Sequence, residues 1–264
     1  MARICPLFSS SKGNSIYVGN SSEGVLIDAG RSAKQLEKAL FENEIDVKSI
    51  KAIFLTHEHS DHVQGVKVFA TRYNLKVLTS SGTMTAIEEK GVLNGKFPTE
   101  VIDGRGVEIA GMFIKPFSTP HDCNESVGYV ITTKDNKKAV VATDIGYISD
   151  VIKDSIVGAD AVVIESNHDV RMLQNGTYPY YLKRRILSDK GHLSNDACAD
   201  ILPYFIKNGT KNFILAHLSQ ENNIPQLAFE TSICKLKEHN MTYNVDFKLS
   251  VAPVENFGVL NVVF

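Results

Sequence analysis

Short apolar runs separated by Ser, Gly and Asn open the chain. Arg3–Phe8, Ser15–Val18 and Gly24–Asp28 read as strands, being β-rich and bounded by turn formers. The period then changes. Ala33–Asn43 carries apolar residues at helical spacing, with Arg31-Ser32 before it as an N-cap. Ala52–Leu55 and Lys76–Thr79 are further short strands, and Thr83–Lys90 is helical, ending near Gly91. Strands return at Val107–Ile109, Phe113–Phe117, Val127–Thr133 and Ala139–Ala142, the last two joined by the turn-like Lys134-Asp135-Asn136-Lys137. The second half has the same style. Ala161–Glu165 and Asn212–Ala216 are strands, and Tyr178–Leu187, Asn195–Lys207 and Pro225–His239 are helices, the last with Pro at its start. Val245–Leu249 and Gly258–Val263 close the chain as strands. The pattern predicts an α/β sandwich, two sheets face to face with helices on both outer faces.

Composition narrows the class. The 264 residues are 43% hydrophobic and 22% charged, ordinary values for a globular protein, which excludes disordered and fibrous classes. No apolar run approaches the ~20 residues that span a bilayer, and the N-terminal residues do not form a signal peptide, so a cytoplasmic protein without a membrane partner is expected. Cys5, Cys123, Cys198 and Cys234 are scattered and form no CxxC pair, which argues against a disulfide framework or a thiolate zinc site. With no linker or repeat, residues 1–264 read as one domain. A net charge of −2 exerts no global pull on nucleic acid, so any such binding rests on a local patch or a metal.

The chemistry concentrates in Thr56-His57-Glu58-His59-Ser60-Asp61-His62, directly after the strand Ala52–Leu55. Three imidazoles and a carboxylate in one loop suit Zn, Mn, Fe or Ni. This HxHxDH run resembles the metallo-β-lactamase superfamily, and the family's other positions appear in order, each after an apolar strand: Asp28, His121, Asp144 and His217. The resemblance implies the αββα fold with a two-metal site. One ion would take His57, His59 and His121, and the other Asp61, His62 and His217, with Asp144 between them. Asp28 would orient the ligand loop from behind, although a turn role before Gly30 is the plainer alternative. Two ions about 3.5–4 Å apart generate a bridging hydroxide nucleophile at neutral pH, beside Asp61, without a side-chain base.

Three further features bear on the substrate. Glu165 and His192 resemble the Glu/His pair of tRNase Z-like phosphodiesterases, which implies that His192 protonates the leaving oxygen while Glu165 holds it. Ser10, Ser11, Lys12 and Asn14 lie in a small-residue loop between the first two strands, fit to contact phosphate or simply to turn a hairpin. Glu165–Asp169, Lys183-Arg184-Arg185, Gly191–Asn195 and Gln220–Pro225 together resemble the YycJ/WalJ-like subgroup, described as bacterial metal-dependent 5′–3′ exonucleases. That resemblance implies a DNA end as substrate, with His168 and Arg184 as candidate contacts. The stretch from Asp144 to His217 is too short for the cap domain of β-CASP nucleases, and no Gly/Pro-rich tRNase Z arm is present. The alternative on the same metals is a small-molecule hydrolase acting on a lactone, thioester or cyclic phosphodiester.

Overall fold

A computed structural model of the chain describes residues 1–264. The first half supplies β1 (Arg3–Ser10), β2 (Gly13–Gly19), β3 (Gly24–Ile27), α1 (Ala33–Glu42), β4 (Ile50–Phe54), α2 (Ser60–Val63), α3 (Val66–Tyr73), β5 (Lys76–Thr79), α4 (Ser81–Glu89) and β6 (Thr99–Val101). The second supplies β7 (Val107–Ile109), β8 (Met112–Ser118), β9 (Val127–Thr133), β10 (Lys138–Ala142), α5 (Asp150–Ile156), β11 (Ala161–Glu165), α6 (Val170–Asn175), α7 (Tyr180–Ile186), α8 (Asn195–Lys207), β12 (Asn212–Ala216), α9 (Pro225–Glu238), β13 (Lys248–Val251) and β14 (Val262–Val263).

The strands form two seven-stranded mixed sheets, ordered β14-β1-β2-β3-β4-β5-β6 and β13-β12-β11-β10-β9-β8-β7. In each, an antiparallel part passes into a parallel one: β3, β4 and β5 run parallel in the first sheet, and β10, β11 and β12 in the second. Parallel strands end at one edge, so the loops after these six leave from a shared rim, where ligand sites of α/β sheets form. Strands buried on both faces need apolar residues throughout, and Ala161–Glu165 is buried along its whole length.

Three apolar clusters define four layers. One, with Ile4, Ile27, Phe54, Tyr129, Val141 and Ile214, fills the space between the sheets. A second packs Leu36, Leu40, Phe69 and Ile87 of α1, α3 and α4 onto the first sheet. The third packs Ile152, Ile156, Leu202, Phe205 and Leu236 of α5, α8 and α9 onto the second. This is the αββα sandwich the sequence pattern predicts.

Local signals explain the boundaries. Ser32 caps α1 in a capping box with Gln35, and Pro225 opens α9. Five elements lie outside the sequence prediction, among them the single-turn α2 within the HxHxDH run. Helix α3 is rich in β-branched Val and Thr, and its ends are marked only by Gly65 and a left-handed Asn74. Helices α5 and α6 are short and bury just Ile152, Ile156 and Leu173 between them, too few to show a period. Strand β6 is three exposed residues. Two predicted strands shift. Val245 is exposed in a turn beside left-handed Asn244, so β13 begins at Lys248. The Asn256 side chain accepts the Val259 and Leu260 N–H groups, holding a loop until Val262.

Candidate active site

Every residue of the HxHxDH run sits where β4 ends. Strand β4 delivers Thr56 and His57 to the rim, and the single-turn α2 turns Asp61 and His62 back beneath it. Gly30 permits this close approach: a Cβ there would lie 1.7 Å from the Asp61 carbonyl oxygen. Asp28, at the end of β3, locks the loop. Its carboxylate accepts the Thr56 N–H at 2.8 Å and the Thr56 hydroxyl at 2.9 Å, and bonds His62 Nδ1 at 2.8 Å. With His62 Nδ1 engaged, Nε2 is the ring nitrogen left to face the site.

Asp28, Asp144 and His217 share an unusual backbone. Their φ angles are 63°, 57° and 57°, in the left-handed region that L-residues avoid at a cost of about 1–2 kcal/mol. Each follows a parallel strand, and hydrogen bonds hold Asp28 and His217 there. Asp28 N–H donates to the Phe54 carbonyl at 2.7 Å. His217 is clamped on both sides: its N–H donates to Ser9 Oγ at 2.7 Å and its carbonyl accepts from Asn167 Nδ2 at 2.8 Å. The left-handed turn swings these side chains off the strand direction and into the rim.

The side chains converge as two adjoining groups. In the first, His59 Nδ1 lies 3.0 Å from His57 Nε2 and 3.3 Å from His121 Nε2. In the second, Asp61 Oδ2 is 3.4 Å from His62 Nε2 and 3.7 Å from His217 Nε2. Asp144 stands between them, with Oδ2 3.4 Å from His62 Nε2 and Oδ1 3.9 Å from His121 Nε2. Each group offers ligand atoms within 4.8 Å of one another, as a shared cation requires.

The donor set fits divalent metal. Asp144 Oδ2 and His217 Nε2 are buried without a hydrogen-bond partner, although buried polar atoms are nearly always partnered. Asp28, Asp144 and Glu165 are almost wholly buried, Asp61 is partly so, and all four ion-pair only with histidines. Four carboxylates whose only cationic partners are histidines make a site of excess negative charge, which favours a bound cation. Burial, reinforced by neighbouring rings, pushes the His57 pKa well down, and burial also lowers those of His59 and His121. Neutral imidazoles with free lone pairs are the form that binds metal. In the second group the neighbouring carboxylates outweigh burial and raise the pKa values of His62 and His217, so an ion there has to displace their protons.

Glu165 has a role that the sequence does not show. Its Oε1 lies 2.9 Å from His192 Nδ1 and 2.7 Å from His217 Nδ1, so one oxygen orients both rings. Its Oε2 accepts the Ile145 and Leu193 N–H groups, fixing the carboxylate itself. The His192 ring stands 5.1 Å from the His121 ring and 5.3 Å from the His217 ring. It lines a cleft of about 730 Å³ together with His59, Asp61, Asp144 and His217.

Five residues expected to meet substrate are not among those lining the cleft. Ser10 and Asn14 point inward from the β1–β2 hairpin: Ser10 Oγ accepts the Lys12 N–H, and Asn14 Nδ2 contacts Asp61 Oδ2 at 3.2 Å and His62 Nε2 at 3.1 Å. Asn14 therefore steadies the carboxylate and ring instead of a ligand. Lys12 is exposed at the hairpin turn but outside the cleft lining, to which Ser11 is the loop's contribution. His168 is 1% exposed, bridged to Ser194 after β11, and burial lowers its pKa to about 4. Arg184 reaches over the Tyr180 ring, and Arg185, about 100° around the helix, lines the cleft. Arg185 is anchored by a two-point ion pair with Asp122. All four cysteines are free.

These features define a member of a known family. Residues 24–218 match the beta-lactamase superfamily domain, and the chain belongs to that superfamily in its metallo-β-lactamase form. It is 41% identical over 226 residues to "Exodeoxyribonuclease YycJ" of Bacillus anthracis, covering 84% of each protein. It is 38% identical over 247 residues to "Exodeoxyribonuclease WalJ" of Streptococcus pneumoniae, covering 92% of this chain and 91% of that protein. The fold matches crystalline Zn²⁺-bound PqqB from Methylobacterium extorquens with a TM-score of 0.70, at 16% identity, over 99% of this chain and all of the other.

Proposed function

We propose that this metal-dependent hydrolase is a 5′–3′ exonuclease acting on DNA, built as a single catalytic unit on two divalent ions. His57, His59 and His121 would hold one ion, Asp61, His62 and His217 the other, and Asp144 both. The ions, when bound, supply Lewis acidity that activates water for attack and offsets charge on the phosphate. The observation that carries the reading is the His192 ring, held by Glu165 at the cleft wall beside the ligand histidines. A phosphodiester leaves as an alkoxide, which needs a proton, and a placed general acid is typically worth ~10²–10⁴ in rate. Glu165 accepts the His192 Nδ1–H, which leaves Nε2 for the leaving group, and the doubly protonated ring, stabilised by the Glu165 carboxylate, delivers its Nε2 proton to the leaving 3′-oxygen. Arg185 and Ser11 line the same cleft and flank the phosphate. The names and extent of similarity of the two exodeoxyribonucleases support DNA as the substrate.

The test uses one duplex, labelled at the 5′ end in one sample and at the 3′ end in another, with Mn²⁺ and Zn²⁺ supplied separately. Immediate release of a labelled mononucleotide from the 5′ end, with gradual shortening of the 3′-labelled strand, is expected. His59→Ala, run beside it, should be inactive. Intact DNA alongside rapid hydrolysis of a lactone or thioester would overturn the reading in favour of a small-molecule hydrolase.

Asp28 acts through the ligand loop. Asp28→Asn keeps the shape and the left-handed preference but loses the charge bonded to Thr56 and His62. The expected result is a loss of about 10–100-fold in divalent-ion affinity. Competition with a chromophoric chelator measures it, and unchanged affinity would refute the orienting role.

A further inference from the structure

The cleft extends well past the ligand cluster. The second half of the chain contributes Arg185, His192 and His217 to its lining, and the first half contributes Gln64, Lys67 and Lys90. Lys67 lies on α3 and Lys90 just beyond α4. Neither ammonium pairs with a carboxylate, unlike Lys76, Lys137, Lys153 and Lys235 elsewhere on the surface. Each is instead tethered by a carbonyl: Lys67 Nζ donates to Gly91 O at 3.1 Å and Lys90 Nζ donates to Glu58 O at 2.9 Å. The tether to Glu58 ties the second lysine directly to the metal-loop backbone. An ammonium has three donors, so two remain on each lysine, and neither lysine forms an ion pair although the Glu58 carboxylate shares the lining. The carboxylate in this arm is partly occupied, because Glu58 Oε1 accepts the Asn124 N–H.

We propose that Lys67 and Lys90 form a phosphate subsite for the strand that remains after cleavage. The inference rests on the DNA exonuclease reading and assigns a direction to it. His192 protonates the 3′-oxygen of the departing nucleotide, so that nucleotide occupies the His192 and Arg185 wall. The retained strand is joined to the scissile phosphorus through its other bridging oxygen. It runs into the arm bounded by α3 and the end of α4, where two pre-positioned cations meet its next phosphates.

The test compares a single-stranded DNA 12-mer with the dinucleotide dTpdT, which has no phosphate beyond the scissile one. The variant is Lys67→Gln with Lys90→Gln, because glutamine keeps an N–H for the carbonyl and removes the charge. The ratio of kcat/KM for the 12-mer to that for dTpdT should fall about tenfold or more. The log–log salt dependence of 12-mer binding should become shallower by about 1.4, roughly 0.7 for each single-strand phosphate that is no longer neutralised. A ratio and salt slope equal to those of the wild type, with wild-type DNA cleavage intact, would overturn the subsite alone. Equal losses on both substrates with a lowered Tm would also overturn it, marking the lysines as loop staples. Failure of the wild-type protein to cut either DNA would instead remove the exonuclease reading, and this inference with it.

Discussion

Asp144→Asn is expected to lower kcat/KM on DNA by about 10³-fold or more and to reduce the bound metal per chain. The substitution isolates charge from shape. Asparagine tolerates the left-handed backbone at φ 57° about as well as aspartate, so the turn after β10 persists. The lost charge matters because Asp144 touches both ligand groups, at His62 and at His121, and one of its oxygens is otherwise unpartnered. Removing it weakens both ion sites together and leaves the His62 and His217 rings with one fewer counter-charge. Metal analysis on the purified variant, beside thermal melting and DNA kinetics, checks the three parts separately. Retention of full metal content and near-normal turnover would refute the bridging position.

His192→Ala is expected to cut kcat on DNA by about 10²–10⁴-fold while leaving metal content unchanged. The contrast between substrates is the stronger readout. With bis(p-nitrophenyl) phosphate the leaving phenolate needs little protonation, so the loss should shrink to about tenfold or less. A purely structural role for His192 would slow both substrates alike. Glu165→Gln should behave differently from either variant. Its Oε1 orients His192 and also the ligand His217, so turnover and metal affinity should fall together.

The site was legible where a strand ends. A buried strand is a run of apolar residues, and a histidine or aspartate directly after it stands out, as at Asp28, His57, Asp144 and His217. The resemblance to the metallo-β-lactamase superfamily gathered these distant residues into one expected site, and the parallel strands that end at one rim explain how their side chains come together. Tertiary sharing was not legible. Nothing in Ala161–Glu165 says that one carboxylate oxygen serves two rings from different loops. Helical phase was also hidden: Arg184 and Arg185 are equivalent in composition, and only the docking of α7 against Asp122 selects the second. In the hairpin loop, Asn14 read as a phosphate contact or a turn residue, but the strands continue through it and turn its amide onto Asp61 and His62. Lys67 and Lys90 carried no signal, since α3 reads as β-prone and its place beside the cleft follows from packing on the first sheet.

The most direct measurement of the central claim is a metal titration of the chelated protein, with ions bound per chain and DNA hydrolysis rate followed in the same sample. No hydrolysis is expected from the metal-free chain, and the rate should rise until two ions are bound, with Asp144→Asn failing to reach that plateau. Full hydrolysis at one ion per chain, or any sustained hydrolysis by the metal-free protein, would contradict the claim.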